Sequence, residues 1–139
     1  SQYVSPLARA GSGRSRLAAY VRGVPDVEWE WSPEDGSPSA RDVVERLLKD
    51  EASLRRRLSG AKKGAAAPAV SGESPAEAVE ALRRSWEASA EALREAEVDR
   101  PDAACDALLR IVFAEGAAFG HVASLQRLID PTRAAPASL

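Results

Sequence analysis

Ser39-Ala-Arg-Asp-Val-Val-Glu-Arg-Leu-Leu-Lys-Asp-Glu-Ala-Ser-Leu-Arg-Arg-Arg-Leu58 is the stretch on which the fold turns. Its apolar residues Val43, Val44, Leu47, Leu48, Leu54 and Leu58 recur at three- and four-residue spacing. That spacing puts them on one face of an α-helix. Ser39 followed by Asp42 predicts a capping box at the start, the hydroxyl accepting from a first-turn amide. Arg55, Arg56 and Arg57 close the stretch and read as cations complementing the helix dipole rather than as an anion site.

Three more helices lie around it. The first runs from about Ser5 to Arg22 with Leu7, Leu17, Ala18 and Val21 on one face, and Gly23 and Pro25 stop it. Gly11 and Gly13 each weaken it by about 1 kcal/mol relative to alanine. Pro25 to Pro38 reads as a long connection. Val27, Trp29 and Trp31 alternate like a strand but have no partner strand, so a loop packing its tryptophans on the bundle is expected. Ser59 to Gly72 is rich in Gly, Ala, Pro and Lys and reads as a mobile loop. Ser74-Pro75-Ala76-Glu77 opens the third helix with an N-cap, a first-turn proline and a capping glutamate. Its stripe is Val79, Leu82, Trp86, Ala90 and Leu93, and Asp99-Arg-Pro-Asp102 ends it. The fourth runs from about Ala103 to Ile129 on Leu108, Ile111, Val112, Ala118, Val122, Leu125, Leu128 and Ile129.

Four amphipathic helices of this length bury their stripes best against one another. The expected fold is all-α: one four-helix-bundle domain over residues 1–131, with a long crossing between helices 1 and 2 that permits non-sequential neighbours. Residues 132–139 are expected to be a frayed tail.

Composition narrows the function. Of the 139 residues, 45% are hydrophobic and 29% charged, as in a globular chain, and Lys+Arg 19 against Asp+Glu 21 leaves a net charge of −2. That balance argues against nucleic acid as a partner. No stretch reads as the roughly 18 apolar residues that span a bilayer, so no membrane role is expected. The lone Cys105 has no partner for an internal disulfide, which points to a reducing, cytoplasmic setting, and it reads as a small buried residue rather than a nucleophile. Trp86 reads as core. No phosphate loop, nucleophile elbow, CxxC pair or dinucleotide fingerprint is present.

Leu17 to Trp29, Gly36 to Glu51 and Phe113 to Leu128 together resemble the DinB-like superfamily of four-helix bundles, which includes thiol-dependent maleylpyruvate isomerase and S-transferase relatives. The resemblance covers most of the chain through short motifs. It implies three histidines around a divalent metal: one on helix 2, just before the paired leucines, and two on helix 4, four residues apart. In this sequence those positions hold Arg46, Ala117 and His121, the only histidine in the chain. Pro38 stands where the resemblance implies a tryptophan.

One imidazole is a weak metal site, because affinity comes from several ligands converging in fixed geometry. A guanidinium in a ligand's place also repels a divalent cation. The reading is therefore a bundle that has lost its metal, with His121 the only retained family ligand and no cofactor expected. Zinc or nickel on His121 with substitute carboxylates is the alternative. A ligand-binding pocket is expected from Arg46, Asp50, Glu115 and His121, with Arg46 paired to Asp50, Glu51 or Glu115 or anchoring a small anion.

His121 is the sole catalytic candidate, since an imidazole suits acid–base work near neutral pH, and its bland reading is a satisfied histidine packed in the bundle. Three functions follow from these readings: small-molecule or anion binding, including a regulatory role; a metal- or thiol-dependent S-transferase, isomerase or hydrolase; or a structural oligomerisation module. A homodimer is the expected assembly.

Overall fold

Serine hydroxyls set three of the four helix starts in this computed structural model, which describes residues 5–59 and 74–133. Ser5 accepts from the Ala8 amide at 3.1 Å and opens α1, Pro6–Arg22. Ser39 and Asp42 form the reciprocal capping box that opens α2, Ala40–Leu58. Ser74 accepts from the Glu77 amide and opens α3, Pro75–Asp99. Each hydroxyl satisfies an amide that has no partner inside its helix. The fourth helix, α4, Pro101–Ile129, begins two residues before the expected start, because Pro101 brings a preset helical φ and no amide to satisfy. Arg100 alone separates α3 from α4.

The connection between α1 and α2 is a loop with one 3-10 turn at Asp26–Glu28, and Gly36 takes a positive φ of 84° in the turn before Ser39. Trp29 is buried and covers one end of the bundle, as expected, whereas Trp31 stays exposed. The expected mobile loop lies, from residue 60 on, outside the described residues.

α1 and α2 each pack against both α3 and α4, so the first two helices face one another across the bundle rather than side by side. The core falls into two apolar clusters. One gathers Leu17 and Val21 of α1, Val44 and Leu48 of α2, Leu82 of α3, and Phe119 and Val122 of α4, under the Trp29 cover. The other gathers Leu58 of α2, Leu93 and Ala96 of α3, and Ala104, Ala107 and Ile111 of α4. Cluster membership fixes direction: α1 and α4 run one way, α2 and α3 the other.

Several outward positions differ from expectation. Val112 and Leu128, read as core, are exposed, because α4 buries an arc centred on Ile111, Glu115 and Val122. Cys105 is exposed as well. Thr132 and Arg133, read as the start of a frayed tail, are held in place. Arg133 donates to both Glu28 oxygens at 2.7 and 2.9 Å and to the Gln126 side chain at 2.9 Å, tying the 3-10 turn to the end of α4. α4 also has the length and hydropathy of a membrane-crossing segment, with a mean hydropathy of 1.4 over its most apolar window, contrary to the sequence reading. Only 39% of that window is buried in the bundle.

Candidate functional site

A layer of charge crosses the bundle between the two apolar clusters. Arg14 of α1 donates to Glu115 of α4 through Nε at 2.8 Å, and to both oxygens of Glu51 of α2 at 3.1 and 2.5 Å. Its Nη1 also donates to the Leu82 carbonyl of α3 at 3.0 Å. One guanidinium thus touches all four helices. Arg55 donates to the Ser85 and Ser89 hydroxyls at 2.7 and 2.9 Å, and Ser85 donates in turn to Glu51. Every one of these side chains is buried.

Two glycines make room for the layer. A Cβ at Gly13 would lie 3.1 Å from Glu115 Oε1, and one at Gly11 would lie 3.1 Å from the Trp86 indole nitrogen. The half-buried Trp86 ring receives the Arg14 guanidinium, whose carbon lies 5.7 Å from a ring centroid. The glycines that weaken α1 as an isolated helix therefore let it approach α3 and α4.

Burial opposes charge on Arg14, but the hydrogen bond and charge of Glu51, then those of Glu115, raise its pKa overall. Burial pushes the Glu115 carboxyl up to about 7, with Arg14 pulling it back down. Glu115 therefore binds a proton more readily folded than unfolded. Its contribution favours the folded state below the ordinary carboxylate range and weakens as pH rises from about 4.5 to about 7. Glu115→Gln is expected to remove that dependence. The fall in stability between pH 5 and pH 7.5, on the order of 2–3 kcal/mol from this group, should flatten in urea titrations of the variant.

The second feature is an open groove between α2 and α4. Pro38, Asp42, Val43, Arg46, Leu47, Asp50, Ala114, Ala117, Ala118 and His121 line about 280 Å³ of it. A second stretch of about 490 Å³ continues past Asp50 and Ala114 to Ser53, Leu54, Arg57, Leu109, Arg110 and Phe113. The lining mixes apolar side chains with the guanidinium groups of Arg46, Arg57 and Arg110 and the carboxylates of Asp42 and Asp50.

Of the four expected pocket residues, the structure brings Arg46, Asp50 and His121 into this groove and leaves Glu115 out. Glu115 lies two positions from Ala117, which is about 200° around the helix, so it faces the core. Arg46 lies on the surface of the groove. Its side chain is 85% exposed and among the described residues it pairs with Asp50 alone, at 3.9 Å, while Glu51 and Glu115 both pair with Arg14. His121 is exposed rather than packed inside the bundle. Arg55 does not simply complement the helix dipole but is spent on the buried layer.

Sequence reasoning missed Arg14, Ser85 and Ser89, and it gave Glu51 and Arg55 other roles, as a partner of Arg46 and as a cation at the helix end. The available signal was polar residues at apolar spacing, as in Ala10, Arg14, Leu17 and Val21, which follow one helical face.

These features define a four-helix-bundle protein with a polar middle layer and a solvent-open groove between its second and fourth helices. The sequence model of the DinB superfamily matches residues 11–125, and the chain belongs to that superfamily. No curated protein and no solved structure matches it.

Proposed function

We propose that this chain is a metal-independent ligand-binding member of the DinB superfamily, with the α2–α4 groove as its site and a small amphipathic anion as its ligand. The observation that carries the reading is that positions 46, 117 and 121 line one groove and hold Arg, Ala and His. Where the family resemblance implies three imidazoles, there is one imidazole and a guanidinium.

The donor set does not fit a resident divalent ion. Among the described residues no three His, Cys, Asp or Glu side chains converge on a point. Asp42, the acid nearest the start of the groove, already accepts from the Ser39 amide at 2.9 Å. Arg46, which among the described residues makes only a long exposed contact to Asp50, is available to a ligand carboxylate or phosphate. Val43, Leu47, Ala114 and Ala118 supply apolar contact beside it.

Calorimetric titration with zinc and nickel is expected to show no stoichiometric uptake. Tight one-to-one binding lost in His121→Ala would overturn the reading. Thermal-shift screening with small carboxylates and phosphates should find ligands that stabilise the wild type. A ligand at a hundred times its Kd adds about 2.7 kcal/mol, and Arg46→Ala should abolish that gain.

The exposure of His121 in the groove favours one second reading, an S-transferase, isomerase or hydrolase in which it handles protons. Assays with low-molecular-weight thiols and electrophiles test it. Equal rates for wild type and His121→Ala would remove His121 from any mechanism.

A further inference from the structure

The outward face of α4 is unusual for a helix exposed to water. Asp106, Leu109, Phe113, the adjacent pair Gly116 and Ala117, Gly120, Ser124 and Arg127 follow one another at three- and four-residue steps on the side opposite the core, and all are exposed. Phe113 is 82% exposed and Leu109 60%. Gly116 and Gly120 are poor helix formers, and a Cβ at either would meet nothing within 4 Å. Nothing inside the described fold needs them small.

The stripe is complementary to itself when reversed. Pairing each residue with the one equally far from the midpoint between Gly116 and Ala117 sets Phe113 against Gly120 and Leu109 against Ser124. It also sets Gly116 against Ala117, and the acid Asp106 against the base Arg127. A large side chain meets a gap, and the charges at the two ends are opposite. A two-fold dimer has this property, because each contact occurs twice across the axis.

The stripe is about 32 Å long at 1.5 Å per residue. Two neighbouring helices, each about 10 Å across, would make the face about 20 Å wide with α2 included, a projected footprint of about 600 Å² per copy. That lies at the lower end of what a stable pair buries, about 600–1,000 Å² per partner.

We propose that the occupant of this face is a second copy of the chain, its α4 packed antiparallel on this one about a two-fold axis between Gly116 and Ala117. The partner's Phe113 then seats over Gly120, next to His121, and α2 of one copy faces α2 of the other. The α2–α4 groove gains a wall from the second copy. The pairing requires no ligand, so it stands or falls separately from the anion-binding reading.

Sedimentation of the ligand-free protein tests it. The wild type should run as a dimer and Phe113→Glu as a monomer with unchanged helical circular dichroism. Gly120→Leu fills the gap that Phe113 enters and improves the helix, so it should give a monomer at least as heat-stable as the wild type. Asp106→Arg should weaken the dimer, and adding Arg127→Asp should restore it. In a Cys105→Ala background, Ala117→Cys should oxidise to a covalent dimer. Asp106→Cys should not, because its two copies would lie about 30 Å apart. A monomeric wild type would overturn the proposal, as would a dimer that survives both Phe113→Glu and Gly120→Leu. A monomer that binds phospholipid vesicles through Phe113 would assign the face to a lipid surface instead.

Discussion

Arg14→Ala is expected to lose about 3–5 kcal/mol of stability at neutral pH, the cost of removing one partner from a buried ion network. The substitution leaves Glu51 and Glu115 without the guanidinium that now donates four hydrogen bonds among Glu115, Glu51 and the Leu82 carbonyl. It also empties the space beside the Trp86 ring. For a domain of this size the loss lowers Tm by about 10–20 °C, readable in thermal melts by circular dichroism. The deficit should be smaller at pH 5 than at pH 8. Without Arg14, burial and the charge of Glu51 act on Glu115 unopposed, so it takes up a proton at acid pH and relieves part of the cost. Arg14→Lys should not rescue, because an ammonium cannot span both oxygens of Glu51 while reaching Glu115. A loss below about 1 kcal/mol, or one independent of pH, would show that the network does not hold the four helices.

Trp29→Ala should cost about as much, roughly 3–5 kcal/mol, although the residue lies in a loop. Its side chain is 2% exposed and belongs to the cluster formed by Leu17, Val21, Val44 and Val122. The backbone fixes it there, since its amide donates to the Asp26 carbonyl at 3.2 Å and its carbonyl accepts from the Arg41 amide at 3.1 Å. The substitution therefore opens a cavity at one end of the core and frees the loop that leads into α2. Trp29→Phe should keep most of the stability while losing the blue-shifted part of the tryptophan emission, leaving Trp31 and Trp86 to report. Trp31→Ala, from an exposed position, should change stability by less than about 0.5 kcal/mol. Urea unfolding of the three variants measures all of this.

The helices were legible because their signals are local. Ser39 with Asp42 and Ser74 with Glu77 mark starts within four residues, and the apolar spacing from Val43 to Leu58 needs no knowledge of the other helices. The groove was legible in part. Arg46, Asp50, Ala117 and His121 lie together, whereas Glu115 is near them in sequence but its helical angle sends it inward. The charge layer escaped because a lone arginine on an apolar stripe looks the same whether it reaches solvent or meets two carboxylates. Arg14 is 37 residues from Glu51 and 101 from Glu115. Only the folded chain says that they share a level. Val112 and Leu128 read as core in the sequence because apolar identity alone does not tell which side of α4 faces the bundle.

That shared level also chooses among ways of stacking the same four rods. Helices whose buried contacts are largely Ala, Val and Leu lose little when one slides by a turn, because one small apolar side chain substitutes for another. A slide of one turn, about 5.4 Å, would carry Arg14 away from both carboxylates and press it against leucines. Glu51, Glu115 and Arg55 would then be buried without partners. The polar level acts as a detent: it makes out-of-step arrangements expensive while the apolar clusters above and below supply the cohesion. A version of this chain with the whole layer replaced by leucine and methionine could match the native stability in bulk and still lack a single preferred alignment of α1 against α4, which sharper or broader amide resonances of the two proteins would reveal.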